Sequence, residues 1–150
     1  MKKSWKEKME HPPVPQIKIA PEDWVSKYEG NKMLIPTPRA IEEIIATIRK
    51  GRVMTIAQLR MALAQKYEAD FTCPLTAGIF LNVVAEYAEE LKTEGKKRIP
   101  CYWRVVRNDG AIIEKFPGGA TKQMAYLKED GVDVITKGKY KNRVRSFVSE

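Results

Sequence analysis

Residues 99–119, with the sequence IPCYWRVVRNDGAIIEKFPGG, contain a cysteine that could act as a nucleophile. A cysteine attacks as its thiolate, which a neighbouring histidine, a cationic group or a helix N-terminus normally stabilises. The chain has a single histidine, His11, and it stands in the proline-rich tail HPPVP far upstream. A pair between Cys101 and His11 would require this tail to fold back onto the segment, which we do not expect. Cys101 therefore lacks an evident activating partner.

The elements expected around Cys101 are short strands followed by a helix. Residues 101–106 predict one strand, the turn sequence Asn-Asp-Gly follows it, and residues 111–116 predict a second strand. Pro-Gly-Gly then frees the backbone before a helix predicted over residues 121–130, with Gly131 as its stop. The possible nucleophile would thus lie on a strand whose side chains alternate between two faces.

Three helices are predicted upstream of this segment. The first runs from the cap Thr37 to Gly51, and the second follows the capping box that begins at Thr55 and continues to about Tyr67. The third begins near Pro74. Its expected apolar stripe is Leu75, Ile79, Val83, Tyr87 and Leu91, and its second half is acidic. The second and third helices have the lengths of a helix-turn-helix, although their connection is longer than the usual turn.

The two ends of the chain differ from its centre. We interpret residues 1–35 as a basic, proline-containing arm with one short helix over residues 21–28, and residues 36–150 as a separate domain. Trp5, Trp24 and Tyr28 are expected to pack the arm onto the domain rather than to stack on bases. The last segment predicts a basic hairpin, either a DNA-contacting wing or a solvated loop.

Five short motifs follow one another within residues 99–132: Ile-Pro-Cys, Arg-Val-Val, Asn-Asp-Gly, Phe-Pro-Gly-Gly and Glu-Asp-Gly-Val. Together they resemble the DNA-binding domain of the O6-alkylguanine-DNA alkyltransferases. In that family a Pro-Cys-His-Arg-Val motif supplies the cysteine that takes an alkyl group from a damaged guanine. The resemblance implies a mainly α fold with small β, similar to a winged helix-turn-helix and closed by a C-terminal hairpin.

The gap-free alignment of these motifs moves the cysteine away from the acceptor position. Anchored on Arg104, it places Tyr102 at the acceptor and Trp103 at the histidine, with Cys101 on the proline. Moving Cys101 to the acceptor position would need an insertion that turns every later strand side chain to the other face. Two further family residues are replaced, by Thr76 for a base-displacing arginine and by Ile56 for a tyrosine.

The closest family motif is that of the alkyltransferase-like proteins, which carry tryptophan in place of the acceptor cysteine and bind alkylated DNA without repairing it. The resemblance implies that an extruded base enters a pocket beside the acceptor position. Its predicted lining residues are Tyr102, Trp103, Phe116, Gly118 and Gly119. The residues predicted to support the motif are Pro100, Arg104 and Asp130, the last of which replaces the family glutamate that orients the histidine. The predicted DNA contacts are Thr55, Thr76, Ala77, Gly78, Asn82, Lys137, Lys139, Lys141 and Arg143.

Composition narrows the classes of partner. A formal net charge of +8 favours a polyanion, because each Lys or Arg that neutralises a phosphate releases counterions. Two cysteines and one histidine are too few for a disulfide framework or a zinc site, so we predict neither a metal nor a cofactor. No secretion signal or long apolar run appears, which favours a cytoplasmic, monomeric protein without a membrane-spanning segment.

Three hypotheses of function remain open. The first is a non-catalytic protein that binds double-stranded DNA, with alkylated guanine as the more specific target. The second is an active methylated-DNA-protein cysteine methyltransferase that uses Cys101, or Cys73 near a helix start. The third is a protein-interaction module that keeps the fold and binds a protein partner through the acidic half of the third helix.

Overall fold

The structure, a computed structural model, describes residues 4–28 and 30–148. The six helices in these residues are α1 (Trp5–Lys8), α2 (Glu22–Tyr28), α3 (Pro38–Ile45), α4 (Ile56–Lys66), α5 (Pro74–Thr93) and α6 (Gly119–Glu129). The strands are β1 (Gln16–Ile19), β2 (Lys32–Ile35), β3 (Met54–Thr55), β4 (Phe71–Thr72), β5 (Val105–Val106), β6 (Val134–Ile135) and β7 (Arg143–Val144). The fold is therefore mainly α with small β, as predicted.

Three small sheets connect the helices. Strand β2 pairs with β1 antiparallel and with β4 in parallel, and β3 pairs with β5 in parallel. Strands β6 and β7 form the predicted C-terminal hairpin, in which Val134 faces Val144 and Ile135 faces Arg143. The main core lies among α3, α4, α5, α6 and the segment that follows Cys101.

The predicted helix starts agree with the observed caps. The Thr37 side chain accepts from the backbone N–H of Ala40 at 3.0 Å, and Thr55 and Gln58 form the reciprocal capping box. Helix α3 ends at Ile45, earlier than predicted, although the chain still turns at Gly51 with φ +88°. Helix α6 begins two residues before its predicted start and ends next to Gly131.

The prediction of the buried face of α5 is wrong in its first half. Leu75 and Ile79 are 65% and 61% exposed, whereas Ala77 and Leu81 are buried. Both sets recur at helical spacing, so periodicity alone does not choose between them. Helix α5 packs against α3, and its buried residues are alanines together with Leu81, Val83 and Val84.

The predicted strands around Cys101 are also mostly replaced. Tyr102–Arg104 forms a 3-10 turn, in which the Arg104 N–H donates to the Cys101 carbonyl at 3.1 Å. Only Val105 and Val106 continue as a strand, and Ala111 contributes a single bridge to Arg143. The segment therefore does not present alternating faces.

The N-terminal residues pack onto the rest of the chain, as predicted for their aromatic side chains. Met9 is fully buried in the main core, and Trp5 packs against the same core. Tyr28 stacks on Phe71 at 4.6 Å, and the ring of Trp24 meets both in edge-on contacts. The division of the chain at residues 35 and 36 stays a prediction, and residues 1–3, 29 and 149–150 lie outside the described part.

Candidate functional site

The side chain of Tyr102 points into an aromatic cluster and away from solvent. It is 0% exposed, and its ring meets those of Trp103, Phe116 and Tyr126 edge-on at 5.0–6.1 Å. Its hydroxyl donates to Glu89 Oε2 at 2.7 Å. Burial, and then the adjacent Glu89 carboxylate, raise the pKa of Tyr102 above its usual value. The phenol is therefore held protonated and has no route to act as a nucleophile.

Glu89 on α5 collects three donors. Lys122 Nζ contacts its Oε1 at 2.7 Å, and the hydroxyls of Tyr102 and Tyr126 both donate to its Oε2. Burial opposes ionisation of this carboxyl, but the three hydrogen bonds together outweigh burial and lower the pKa of Glu89. The carboxylate is thus paired within the chain.

A second buried carboxylate holds the next two motif residues. Asp130 Oδ2 accepts from Trp103 Nε1 at 2.9 Å and from Arg104 Nε at 2.7 Å. Arg104 also donates to Asp130 Oδ1 at 3.2 Å and to the Ile48 carbonyl at 2.9 Å. Burial opposes ionisation of Asp130, yet the hydrogen bonds from Arg104 and Trp103 lower its pKa. Arg104 therefore orders a carboxylate and a backbone carbonyl, and its role in supporting the motif stays a prediction.

Cys101 is half-buried, and its sulfur lies 3.7 Å from the Ile99 carbonyl oxygen. Burial raises the pKa of the thiol, and the nearby Arg104 charge only partly offsets this effect. No hydrogen bond to an imidazole is present in the described part of the chain. The raised pKa therefore favours the protonated thiol over the thiolate, which is the nucleophilic form.

Sequence reasoning missed Gln123, which is fully buried on α6. Its Oε1 accepts from the Ile113 N–H at 2.6 Å, and its Nε2 donates to the carbonyls of Trp103 and Val105 at 3.0 Å. One side chain thus satisfies three backbone groups of the segments on either side of the turn. Gln123 lies four residues before the buried Leu127, and residues at this spacing share one face of a helix. This spacing was the sequence signal that Gln123 points inward.

A cavity of about 840 Å³ lies next to this cluster and is separate from Cys101. One wall is the first half of α5, and a second is formed by Arg107, Ile113, Lys115 and Phe116. Phe116 links the cluster to the cavity because it belongs to both. The cavity therefore lies beside the third helix and shares Phe116 with the predicted base pocket.

The tail that contains His11 does fold back, contrary to expectation. Trp5, Lys8 and His11 line the cavity, whereas Cys101 does not. The cavity thus brings the histidine near the candidate site without giving the cysteine a partner.

The charged side chains that line the cavity are all positive. Its lining includes Lys8, His11, Arg107 and Lys115 and, within the described residues, no carboxylate. In the described chain, none of the eight salt bridges involves Lys8, Arg107 or Lys115. The remaining lining is largely apolar, and Leu75 and Ile79 expose much of their surface there. The site therefore combines an apolar interior with unneutralised cations.

The predicted pocket residues divide between the cluster and the cavity. Phe116 lines the cavity, but Tyr102 and Trp103 are buried behind it, and Gly118 and Gly119 begin α6 with φ of +78° and +66°. Tyr102 and Trp103 bind carboxylates of the chain itself because the 3-10 turn directs both rings inward. Pro100 lies just before this turn and is half-buried.

The predicted DNA contacts on α5 also divide. Gly78 and Asn82 line the cavity, and Asn82 Oδ1 is buried without a hydrogen-bond partner in the described chain. Ala77 is buried against the core, and the hydroxyl of Thr76 is buried without a described partner. Asn82 is thus the polar group of this helix that a ligand in the cavity would satisfy.

The remaining predicted DNA contacts lie outside the cavity. Thr55 is buried as the cap of α4, and Arg143 contacts Asp109 Oδ2 at 3.2 Å. In the hairpin loop, Lys137, Lys139 and Lys141 are exposed. Their role as a wing stays a prediction.

Membrane-spanning helices and metal-binding clusters are both absent from the described residues. No helix among residues 4–28 and 30–148 has the length and hydrophobicity to cross a bilayer. Within the same residues, His, Cys, Asp and Glu side chains form no group of three that would hold a metal ion.

Comparison with known proteins gives a likeness in structure and none in sequence. No protein-family model matches the chain, and no curated protein matches it significantly. The structure is similar to that of S. pombe Atl1, which was solved in complex with damaged DNA containing O6-carboxymethylguanine. The TM-score is 0.49 at 18% sequence identity, and the match covers 75% of this chain and 94% of that chain. This likeness does not define the chemistry of the site, which depends on the side chains described above.

Proposed function

We propose that this chain is a non-catalytic protein that binds double-stranded DNA and receives an extruded base in the cavity beside α5. The observation that carries the proposal is the combination, in one cavity, of an apolar interior with basic side chains only. A nucleotide has the complementary parts, because its base is flat and apolar on both faces and its phosphates are anionic.

The charges favour a nucleic acid over an apolar small molecule. Lys8, Arg107 and Lys115 all line the cavity, and the chain as a whole carries a net charge of +8. Each contact with a phosphate would release a condensed counterion and strengthen binding at low salt. Such contacts position the duplex without reading its sequence.

The size of the cavity suits a base and its sugar. A volume of about 840 Å³ lies within the usual range of ligand pockets, which is roughly 300–1,000 Å³. Extruding a base costs a few kcal/mol, and the cost is lowest for a mismatched or damaged base. Phe116 and Asn82 offer an aromatic edge and an unsatisfied carbonyl oxygen to such a base. We therefore propose that alkylated guanine is one of the bases bound.

We propose that the chain does not transfer alkyl groups, because of the position of Cys101 and the pKa of its thiol. Its sulfur is outside the cavity lining, and its thiol has a raised pKa. An acceptor must reach the alkyl carbon as a thiolate, so both observations count against transfer. Tyr102, the residue at the aligned acceptor position, is fully buried.

The acidic half of α5 offers little free surface for a protein partner. Glu89 is bound by three side chains, and Glu90 accepts from the backbone N–H groups of Trp5 and Lys6. The interaction-module hypothesis therefore has less support than DNA binding.

The first test measures binding by fluorescence anisotropy with three duplexes: fully matched, singly mismatched, and containing O6-methylguanine. Four phosphate contacts would lower affinity roughly a hundredfold when salt rises from about 50 to 200 mM. The mismatched and alkylated duplexes should bind more tightly than the matched one, because their bases are easier to extrude. Failure to bind any duplex at low salt would overturn the proposal.

A matched pair of variants locates the contact. Arg107→Ala/Lys115→Ala should weaken binding and reduce its salt dependence. Lys18→Ala/Lys32→Ala removes the same charge from the sheet of β1 and β2, outside the cavity lining, and should have little effect. Equal losses from both variants would indicate nonspecific attraction by net charge.

Intact-protein mass spectrometry tests the non-catalytic part separately. After incubation with the O6-methylguanine duplex, the protein mass should stay unchanged. A gain of one methylene that disappears in Cys101→Ala would instead establish the transferase hypothesis.

A further inference from the structure

A third wall of the cavity comes from the N-terminal segment, residues 4–11. Trp5, Lys8 and His11 line the cavity together with Arg107 and Lys115, which come from a distant part of the chain. We infer that this segment is a DNA-contacting part of the site, in which Lys8 and His11 bind phosphates and Trp5 contacts the base. The inference rests on the proposed function and assigns binding residues to a segment interpreted from sequence as a separate arm.

Buried and polar contacts hold the segment in place. Met9 is 0% exposed in the main core, and Glu90 on α5 accepts from the backbone of Trp5 and Lys6 at 3.3 and 3.4 Å. On the other side, Arg39 Nε donates to Glu10 Oε1 at 3.0 Å. A wall fixed in this way loses little conformational freedom when a ligand binds, which favours affinity.

Neighbouring lysines of α1 have different surroundings. Lys6 Nζ contacts Glu94 Oε1 at 2.6 Å, so its charge is neutralised by α5. Lys8 Nζ lies 4.0 Å from the centroid of the Trp5 ring and lines the cavity. Two residues apart on a helix, the side chains point about 200° from one another. The helix thus separates a structural lysine from one that faces the site.

Cations on two walls match the chemistry of an extruded nucleotide. Its sugar carries a phosphate on each side, so one phosphate can approach Lys8 and His11 while the other approaches Arg107 and Lys115. The indole of Trp5 adds apolar surface between these cations. Base contacts with aromatic side chains contribute to single-nucleotide binding without sequence preference.

The two lysines provide the matched test, with duplex affinity measured over a series of salt concentrations. Lys8→Ala should reduce the slope of log affinity against log salt by about one, as expected for one lost phosphate contact. Lys6→Ala should leave the slope close to that of the unaltered protein, because its ammonium already pairs with Glu94. His11→Ala should weaken binding through the loss of a hydrogen bond to a phosphate.

Trp5 requires a test that separates base contact from packing. Trp5→Leu keeps apolar volume and Trp5→Phe keeps an aromatic ring, and thermal unfolding shows whether either variant loses the fold. Base contact predicts that Trp5→Leu loses roughly tenfold in affinity for the mismatched duplex, whereas Trp5→Phe retains most of it. Equal behaviour of the two folded variants would indicate a packing role and overturn the assignment of Trp5.

The outcomes distinguish this inference from the proposed function. If Arg107→Ala/Lys115→Ala lowers the salt slope while Lys8→Ala does not, DNA binds the cavity without the N-terminal segment. If Lys6→Ala lowers the slope as much as Lys8→Ala, the assigned wall is wrong. If the unaltered protein binds no duplex, the proposed function and this inference fail together.

Discussion

The aromatic cluster and the cavity lie side by side, yet they use polar groups in opposite ways. In the cluster, Tyr102, Trp103 and Arg104 are all bound to carboxylates of the same chain. In the cavity, Lys8, Arg107 and Lys115 form no described salt bridge, and Asn82 Oδ1 has no described partner. Satisfied polar groups stabilise the fold, whereas unsatisfied groups remain available to a ligand.

This difference supports our proposal that the motif which resembles an acceptor site stabilises the fold of this chain. Asp130 binds the indole of Trp103 where the resemblance expects a carboxylate to orient a histidine. The hydrogen bond to the carboxylate is kept. An indole N–H, however, is a hydrogen-bond donor only and does not transfer its proton. Changes in the cluster should therefore affect stability, and changes in the cavity should affect binding.

The largest expected effect is that of Tyr102→Ala. Truncating a fully buried aromatic ring leaves a hole among Trp103, Phe116 and Tyr126, and such changes cost about 3–5 kcal/mol in the free energy of unfolding. Urea denaturation measures this cost. A loss below about 1 kcal/mol, typical of surface positions, would contradict the buried placement.

Gln123→Ala is expected to have the next largest effect. It leaves the Ile113 N–H and the carbonyls of Trp103 and Val105 without their partner, and each unsatisfied buried group costs about 1–3 kcal/mol. Water entering the space would reduce the total, so we expect about 2 kcal/mol by urea denaturation. Gln65→Ala on the exposed face of α4 is the matched control and should change stability little.

Acid should destabilise the protein through the two carboxylates of the cluster. The pKa values of Glu89 and Asp130 are lowered in the folded state, so their contribution to stability is complete above the unfolded values of 4.5 and 3.8. It decreases as pH falls below those values, because the unfolded chain then binds protons more readily. Thermal unfolding between neutral pH and about pH 3 measures the decrease.

Asp130→Asn is the control for this pH dependence. The variant should be less stable at neutral pH, and its stability should fall less steeply on acidification, because one of the two carboxylates is absent. An unchanged slope would show that Asp130 does not contribute to the pH dependence.

The smallest effect on stability is expected for Ile79→Ser in the cavity. Its side chain is 61% exposed, so the free energy of unfolding should change by no more than about 0.5 kcal/mol. Affinity for the mismatched duplex should nevertheless fall, since the apolar surface facing the base is reduced. Loss of stability without loss of affinity would reverse the assigned roles of cavity and cluster.

Local sequence signals were sufficient for elements whose ends are fixed by their own residues. The caps Thr37 and Thr55 begin α3 and α4 as predicted, because each hydroxyl binds an N–H three residues later. The hairpin of β6 and β7 also follows from its own strand and turn residues. The net charge pointed to an anionic partner without requiring any structure.

The tertiary structure determined three features that local sequence patterns left ambiguous. Helix α5 has apolar residues on both sides, and packing against α3 selected the side with alanines. The segment after Cys101 became a 3-10 turn because Glu89 and Asp130, distant in sequence, bind Tyr102 and Trp103. The return of the N-terminal segment to the cavity likewise depends on contacts between residues far apart in the chain.

The sequence by itself therefore determined five of the six described helices, the caps of α3 and α4, the terminal hairpin and the sign of the charge, whereas α1 was not predicted. These properties depend on interactions among residues close in the chain or on composition alone. Only the tertiary structure decided which motif residues are buried and which basic side chains share a cavity. That choice depends on the burial of whole faces and on pairs such as Tyr102 with Glu89, whose formation no local signal specifies.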